Sequence, residues 1–320
     1  MGILSDRKIL KTILLRIFPM FKNFIVLTLL LSLEASFAKQ SLHNTANIKC
    51  ELDDKDTLVI GCTNKCGRWN SWALKRYARK LGYDIDIINL RSENQTVDYT
   101  QVDGILIPGG SDVNPDHYIP LQSPQTKSRL QSLRHFYSPS DIGEDRDKFE
   151  FGLLKDYFAN ESSRYQPILG ICRGLQVLAV SQGIPLYLDI EEELGIKNRR
   201  YTLDRVQVNN PESLIRELAG RSSFRAVKYH HQGIRLDHFL ENQDRWPNLD
   251  ITGTSHNGKL AEVMEFYDRP ILGVQYHPEW TFFSKMRRGV FSWFLKRSCF
   301  NKIMGKKIYE KRQLSLTRNH

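Results

Sequence analysis

Cys172 lies in Gly170-Ile171-Cys172-Arg173-Gly174, between the apolar run Pro167–Ile171 and a helix-like stretch, Leu175–Ser181. Small residues on both sides allow the tight strand-to-helix turn that lifts a nucleophile above the carboxyl edge of a sheet. The sequence assigns these two glycines no packing role. A helix beginning just after Cys172 would favour its thiolate. Such a nucleophile needs a base, and the base needs an orienting group. The apolar run Ile271–Tyr276 ends at His277, and Pro278 fixes a turn that brings in Glu279. His277 is therefore the candidate base and Glu279 the carboxylate that selects its tautomer. A third apolar run ends in Pro108-Gly109-Gly110, where the Gly110 amide, with that of Arg173, is placed to receive an oxyanion. His230, His231 and Gln232 follow a fourth run, Phe224–Tyr229, and are candidates for a substrate's polar end. No cysteine–histidine spacing fits zinc, so neither a metal nor a cofactor is expected.

These residues must be carried by strands and helices. Short apolar runs at Thr57–Gly61, Tyr83–Leu90, 103–110 and Pro167–Ile171 read as strands, and Trp69–Leu81 and Asp147–Phe158 read as helices. Further strands are expected at Phe224–Tyr229, Asp250–Gly253, Ala261–Phe266 and Ile271–Tyr276, with a closing helix over Phe282–Leu295. The alternation predicts one α/β domain, a mostly parallel sheet flanked by helices, over residues 57–298. The stretch 111–144 is long enough to be functional rather than a plain connector.

The net charge of +10 sits at the ends: about +3 over residues 1–38 and +7 over 296–320, leaving the body neutral. A neutral body excludes a global field for polyanions, so nucleic acid is not an expected partner. Phe24–Leu33 is too short to span a bilayer and is followed by Ser36 and Ala38, the small residues of a cleavage site before Lys39. Residues 1–38 therefore read as an export signal, with Met20 as an alternative start and an uncleaved membrane anchor as the competing reading. Residues 39–56 read as a linker and 299–320 as a basic C-terminal tail. Five cysteines leave an odd thiol in an exported chain. Cys62 and Cys66 lie close enough to pair, and Cys50 and Cys299 flank the domain, but spacing does not set the connectivity.

Taken in order, P-G-G-S-D-V-N-P (108–115), G-I-C-R-G-L-Q (170–176), Y-H-H-Q-G (229–233) and G-V-Q-Y-H-P-E-W (273–280) resemble the class I glutamine amidotransferase superfamily. Within it they resemble the γ-glutamyl hydrolase branch of cysteine peptidases, typified by γ-glutamyl-γ-aminobutyrate hydrolase, over residues 57–297. The resemblance implies a flavodoxin-like three-layer domain, a Cys172–His277–Glu279 triad and an oxyanion hole at Gly110 and Arg173. It implies that Gln176 helps hold the glutamyl group, and that Asp145–Asp147 stands for the family's arginine–aspartate segment. The activity implied is hydrolysis of γ-glutamyl amide or isopeptide bonds through a γ-glutamyl thioester. A glutaminase subunit feeding a synthase and a non-catalytic binding protein are the alternatives. The expected partner is a small γ-glutamyl substrate, with no obligate synthase and with a homodimer left open. Tyr276 replaces a frequent tryptophan, Ser255–Lys259 replaces an Asp-Gly turn, and 189–223 is too irregular to place. The sequence shows no fixed charges for the leaving side of the substrate.

Overall fold

A computed structural model describes residues 48–317, apart from Asp54, 92–95, 140–142, 198–200 and 281–284. These residues lie within one compact unit, His43–His320. The expected export signal, with Met20, lies outside the described residues.

Apolar runs become strands β1 (Thr57–Cys62), β2 (Asp84–Asn89), β3 (Gly104–Ile107) and β4 (Ile168–Ile171). The second half of the chain adds β5 (Leu186–Tyr187), β6 (Thr202–Val208), β7 (Ser223–Lys228) and β8 (Gly233–Ile234). It closes with β9 (Leu249–Ser255), β10 (Leu260–Phe266) and β11 (Ile271–Val274). Nine of them form one sheet in the order β2-β1-β3-β4-β11-β10-β9-β6-β7, and β5 pairs with β8 separately. From β2 to β11 the neighbours are parallel; β10, β9, β6 and β7 continue as an antiparallel extension. The α/β architecture with its parallel site-bearing sheet is as expected.

Strands β3, β4 and β11 are buried at every position, because helices cover both faces. Leu106, Leu169 and Leu272 point into the layer shared with α1 (Gly67–Leu81) and the last helix. Ile105, Ile107, Ile168 and Ile271 point into the opposite layer, with α2 (Gly143–Ala159) and α3 (Arg173–Ser181). The period-two alternation of each strand thus fills two cores at once.

Three expectations change. The irregular segment 189–223 contains β6 and the short helix α4 (Leu214–Ala219), whose Ser213 caps it by accepting from the Arg216 N–H at 3.3 Å. The last helix, α5 (Lys285–Thr317), is continuous, so the boundary drawn at 298 falls inside it. Cys299 is fully buried and forms a disulfide with Cys50, tying the expected linker to the expected tail. Cys62 and Cys66 form the second disulfide, and Cys172 is the free cysteine.

Candidate active site

Strands β4 and β11 are parallel neighbours, with Ile171 in register with Val274. Chain that leaves both strands at the same edge meets there, which is why residues more than one hundred positions apart converge. The Cys172 N–H donates to the Val274 carbonyl at 2.7 Å, and the His277 N–H to the Val227 carbonyl at 3.0 Å.

Cys172 has φ +54° and ψ −106°, left-handed backbone in a non-glycine residue. Such strain persists only where the surroundings enforce it, and it is the geometry of a nucleophile elbow. The flanking glycines do have a packing role, contrary to the sequence reading. A Cβ on Gly170 would meet the Gly174 carbonyl at 2.8 Å and Leu178 Cδ1 at 2.7 Å, and one on Gly174 would collide with the Ile107 carbonyl. Both are glycine because α3 is pressed against β3 and β4, which forces the elbow.

His277 is buried, and its Nδ1 is 2.7 Å from Glu279 Oε1. Its ring stacks on Trp280 at 3.8 Å and 6°, so the imidazole is fixed on an edge and on a face. Burial alone would push His277 down; the charge of Cys172 and a hydrogen bond to it, backed by Glu279, reverse this and raise it to about 10. A histidine raised on folding adds stability that is fully present below about 6.5 and lost as pH rises through about 10. In Cys172→Ala the ring should therefore titrate well below 10, and the stability lost between those two pH values should shrink. An NMR titration of His277 in both proteins checks this, and identical midpoints would disconnect the pair.

The Cys172 thiol faces the Tyr229 carbonyl at 3.9 Å, and Gln275 Nε2 donates to its sulfur at 3.8 Å. Gly109 comes closest to the pair: a Cβ there would meet His277 Cε1 at 3.1 Å and Cys172 Cβ at 3.5 Å. Arg146 donates to the Pro108 carbonyl at 2.7 Å and the Gly109 carbonyl at 3.2 Å. In a trans peptide the N–H opposes the C=O, so the Gly110 N–H is turned away from Arg146. Among the described residues it donates to nothing.

Beneath the elbow lies a buried network. The Arg173 guanidinium pairs with both Asp147 and Glu150, and Arg146 Nε donates to Glu150 Oε1 at 2.9 Å. Thr63 donates to Glu150 at 2.5 Å, and Asp147 accepts from the Asn114 N–H at 2.9 Å. Burial would raise the Glu150 carboxyl, but Arg173 and Arg146 more than offset this and hold it below its ordinary value. Two cations and two carboxylates thus close a neutral cluster that clamps the elbow to the glycine turn. Asp145 stays outside it, exposed and 3.6 Å from Arg91.

The side chains expected to grip substrate divide. Gln176 is buried and donates to the Gln232 carbonyl at 2.9 Å and to Gln275 at 3.3 Å. Gln232 accepts from the Val113 N–H at 3.0 Å and donates to the Tyr118 hydroxyl at 3.1 Å. Both amides hold the framework together. His230 is half-buried as a residue, and its ring contacts the Gln232 carbonyl at 2.8 Å; desolvation of the ring first, then Lys228, keeps it well below its ordinary value. His231 lies between Asp189 at 3.0 Å and Asp112 at 2.9 Å; burial opposes its charge, but the two carboxylates raise it.

Of the residues expected at the site, Gly110, Cys172, Gln176, His230, His231, Gln232, His277 and Glu279 border one open cavity of about 840 Å³ at the carboxyl edge of the parallel strands, and Arg173 does not. Asp112, Asp189 and Glu191 contribute to its lining, and so do Lys65, Arg68 and Trp69 at the start of α1. The sequence reading identified no fixed charges for the leaving side; Lys65 and Arg68, both exposed, are cationic residues on the lining of this cavity. Among the described residues no cluster of histidine, cysteine or carboxylate could hold a metal ion.

A family model, Peptidase C26, matches residues 85–279, more than half of the chain and a span that includes Cys172, His277 and Glu279. The chain is 28% identical over 210 residues to the γ-glutamyl-γ-aminobutyrate hydrolase PuuD of Escherichia coli (strain K12), covering 58% of this chain and 79% of that protein. It is 27% identical over 207 residues to protein NtpR of Enterococcus hirae, covering 61% and 75%. The fold matches the glutaminase domain of Trypanosoma brucei CTPS with a TM-score of 0.53 at 14% identity, over 76% of this chain and 94% of that one. Lys65, Arg68 and α5 lie outside the residues of the family match.

Proposed function

We propose, from the premise that the chain belongs to the Peptidase C26 family, that it hydrolyses γ-glutamyl amide or isopeptide bonds with Cys172 as nucleophile. The carrying observation is one free thiol, at a left-handed elbow, beside a histidine held by a buried carboxylate. The Cys172 thiolate attacks the γ-carbonyl carbon, and the carbonyl electron pair moves to oxygen, received by the Gly110 and Arg173 amides. As the tetrahedral species collapses the C–N bond breaks, and the amine takes its proton from the His277 imidazolium. A γ-glutamyl thioester and neutral His277 remain. His277 then takes a proton from water, the oxygen attacks the thioester, and glutamate leaves as the thiolate–imidazolium pair re-forms. Glu279 holds the ring tautomer and balances its charge throughout.

The α-ammonium of the glutamyl group is assigned to the acidic wall at Asp112 and Asp189, braced by His231, with Gln176 and Gln232 holding that wall in place. A site that pairs a charge rejects an analogue that misplaces it, since each unpaired buried group costs roughly 1–3 kcal/mol. With the full chain alone, the γ-glutamyl version of an amide should react at least about tenfold faster than its α-glutamyl isomer. Equal rates, or ammonia release from glutamine only after a second protein is added, would overturn this reading.

Export of the chain is part of the same proposal, supported by two disulfides among the described residues, since such bonds persist in oxidising compartments. N-terminal sequencing of the protein from its native cell should begin at Lys39; a cytosolic protein with its first residues intact would refute export.

A further inference from the structure

A second cavity, of about 370 Å³, opens where the β6–β7 edge of the sheet meets the end of α4 and the start of α5. It shares no lining residue with the catalytic cavity. Arg205, Arg221, Arg225 and Lys285 line it, together with Ala219, Ser223, Phe224 and Met286, and no acidic residue does. None of these four cations has an ion-pair or hydrogen-bond partner among the described residues. The buried or half-buried Arg146, Arg173, Arg235 and Lys302, by contrast, each sit in an ion pair.

The placement is built into the backbone. Arg205 and Arg225 are direct partners across the antiparallel β6–β7 pair, an arrangement of like charges that destabilises a sheet unless something neutralises it. Gly220, at φ +66°, ends α4, and a Cβ there would collide with the Lys285 ammonium, so glycine leaves room for that charge beside Arg221. Three guanidiniums offer planar forks that match tetrahedral oxyanions, and the lysine adds a point charge. Since a water takes about 30 Å³, the cavity has room for more than a single phosphate ion.

We infer that this cavity is a binding site for a compact polyanion bearing two or more phosphate or sulfate groups. A soluble diphosphate and a cluster of phospholipid headgroups share this chemistry. Bound oxyanions neutralise the Arg205–Arg225 pair and are held from the α4–β7 turn and the start of α5. The site is independent of the γ-glutamyl chemistry and does not require it.

The test is calorimetry of the full chain with inorganic pyrophosphate at low salt, beside sedimentation with phosphatidylglycerol and phosphatidylcholine vesicles. The expected result is saturable one-site binding of pyrophosphate that weakens as sodium chloride is raised. Sedimentation with phosphatidylglycerol vesicles alone, without pyrophosphate binding, would assign the site to headgroups. Arg205→Gln with Arg225→Gln should weaken binding at least tenfold and leave amide hydrolysis within twofold of wild type. Arg221→Gln and Lys285→Ala each test the site separately, should the double variant not fold. Without ligand, Arg225→Gln should be no less stable than wild type, because it removes a like-charge pair. Binding of neither probe, or equal binding by wild type and all variants, would overturn the inference.

Discussion

Cys172→Ala should abolish amide hydrolysis, lowering kcat by about ten-thousand-fold or more, the scale of loss when a covalent nucleophile is removed from a triad. The fold should survive: the change removes one sulfur from a side chain at the rim of a cavity, and the strained backbone is enforced by Gly170, Gly174 and the strand pairing. Circular dichroism and denaturant midpoints close to wild type would establish that. A γ-glutamyl substrate should still bind, because the acidic wall at Asp112 and Asp189 is untouched. Rapid quenching of wild type with a γ-glutamyl ester should trap a covalent adduct on Cys172, and the variant should show none. Comparable turnover by Cys172→Ala would remove the thioester from the mechanism, whatever the fold.

The chemistry-bearing residues were legible because each sits where an apolar run stops. Cys172, His277 and Gly110 follow β4, β11 and β3, and adjacent parallel strands deliver their ends to one edge. That inference needs only the strand ends and the rule that ligands gather at the carboxyl edge of a parallel sheet. The reason for the glycines was not legible. Gly170 and Gly174 answer to Leu178 and Ile107, contacts made across the fold by a helix whose distance from the sheet no local pattern states.

The surroundings of the residues expected to grip substrate were less legible for a related reason. Gln176 and Gln232 stand at suitable sequence positions, yet a buried amide must satisfy its own donors and acceptors, and both do so within the framework. Of the charges on the cavity, Asp112 sits inside the P-G-G-S-D-V-N-P motif without being marked out by it, and Lys65, inside the Cys62–Cys66 turn, and Arg68, just past it, come from a segment with no motif. Of the antiparallel extension only β6 was obscure: β7, β9 and β10 were expected as strands, whereas β6 alternates exposed with buried or half-buried positions beside the edge strand β7. Its Asp204, Arg205 and Gln207 interrupt the apolar signal.

Glu150 shows how far a decisive residue can lie outside any recognisable motif, and Glu150→Gln should be the most destabilising single change on this framework. The wild-type cluster holds two guanidiniums against two carboxylates, all buried. Neutralising Glu150 leaves Arg146 and Arg173 sharing Asp147 alone, an uncompensated cation inside the protein. Breaking a buried pair in this way costs about 3–5 kcal/mol. Asp145→Asn, one helical turn away, removes an exposed carboxylate 3.6 Å from Arg91 and should cost less than about 0.5 kcal/mol. Guanidinium denaturation of the two variants reads the difference directly. The acid limb adds an independent check. A carboxyl held below its ordinary value stabilises the fold above that value, and its contribution is lost as pH falls through the lowered one. Wild type should therefore lose stability below about pH 4.5 more steeply than Glu150→Gln, in which this titration is absent. Because Arg173 opens the elbow helix and Arg146 holds the Gly109 carbonyl, kcat should fall with stability even where the variant is fully folded. A variant as stable as Asp145→Asn, with an unchanged acid limb, would mean that the cluster fills space beneath Cys172 without holding it.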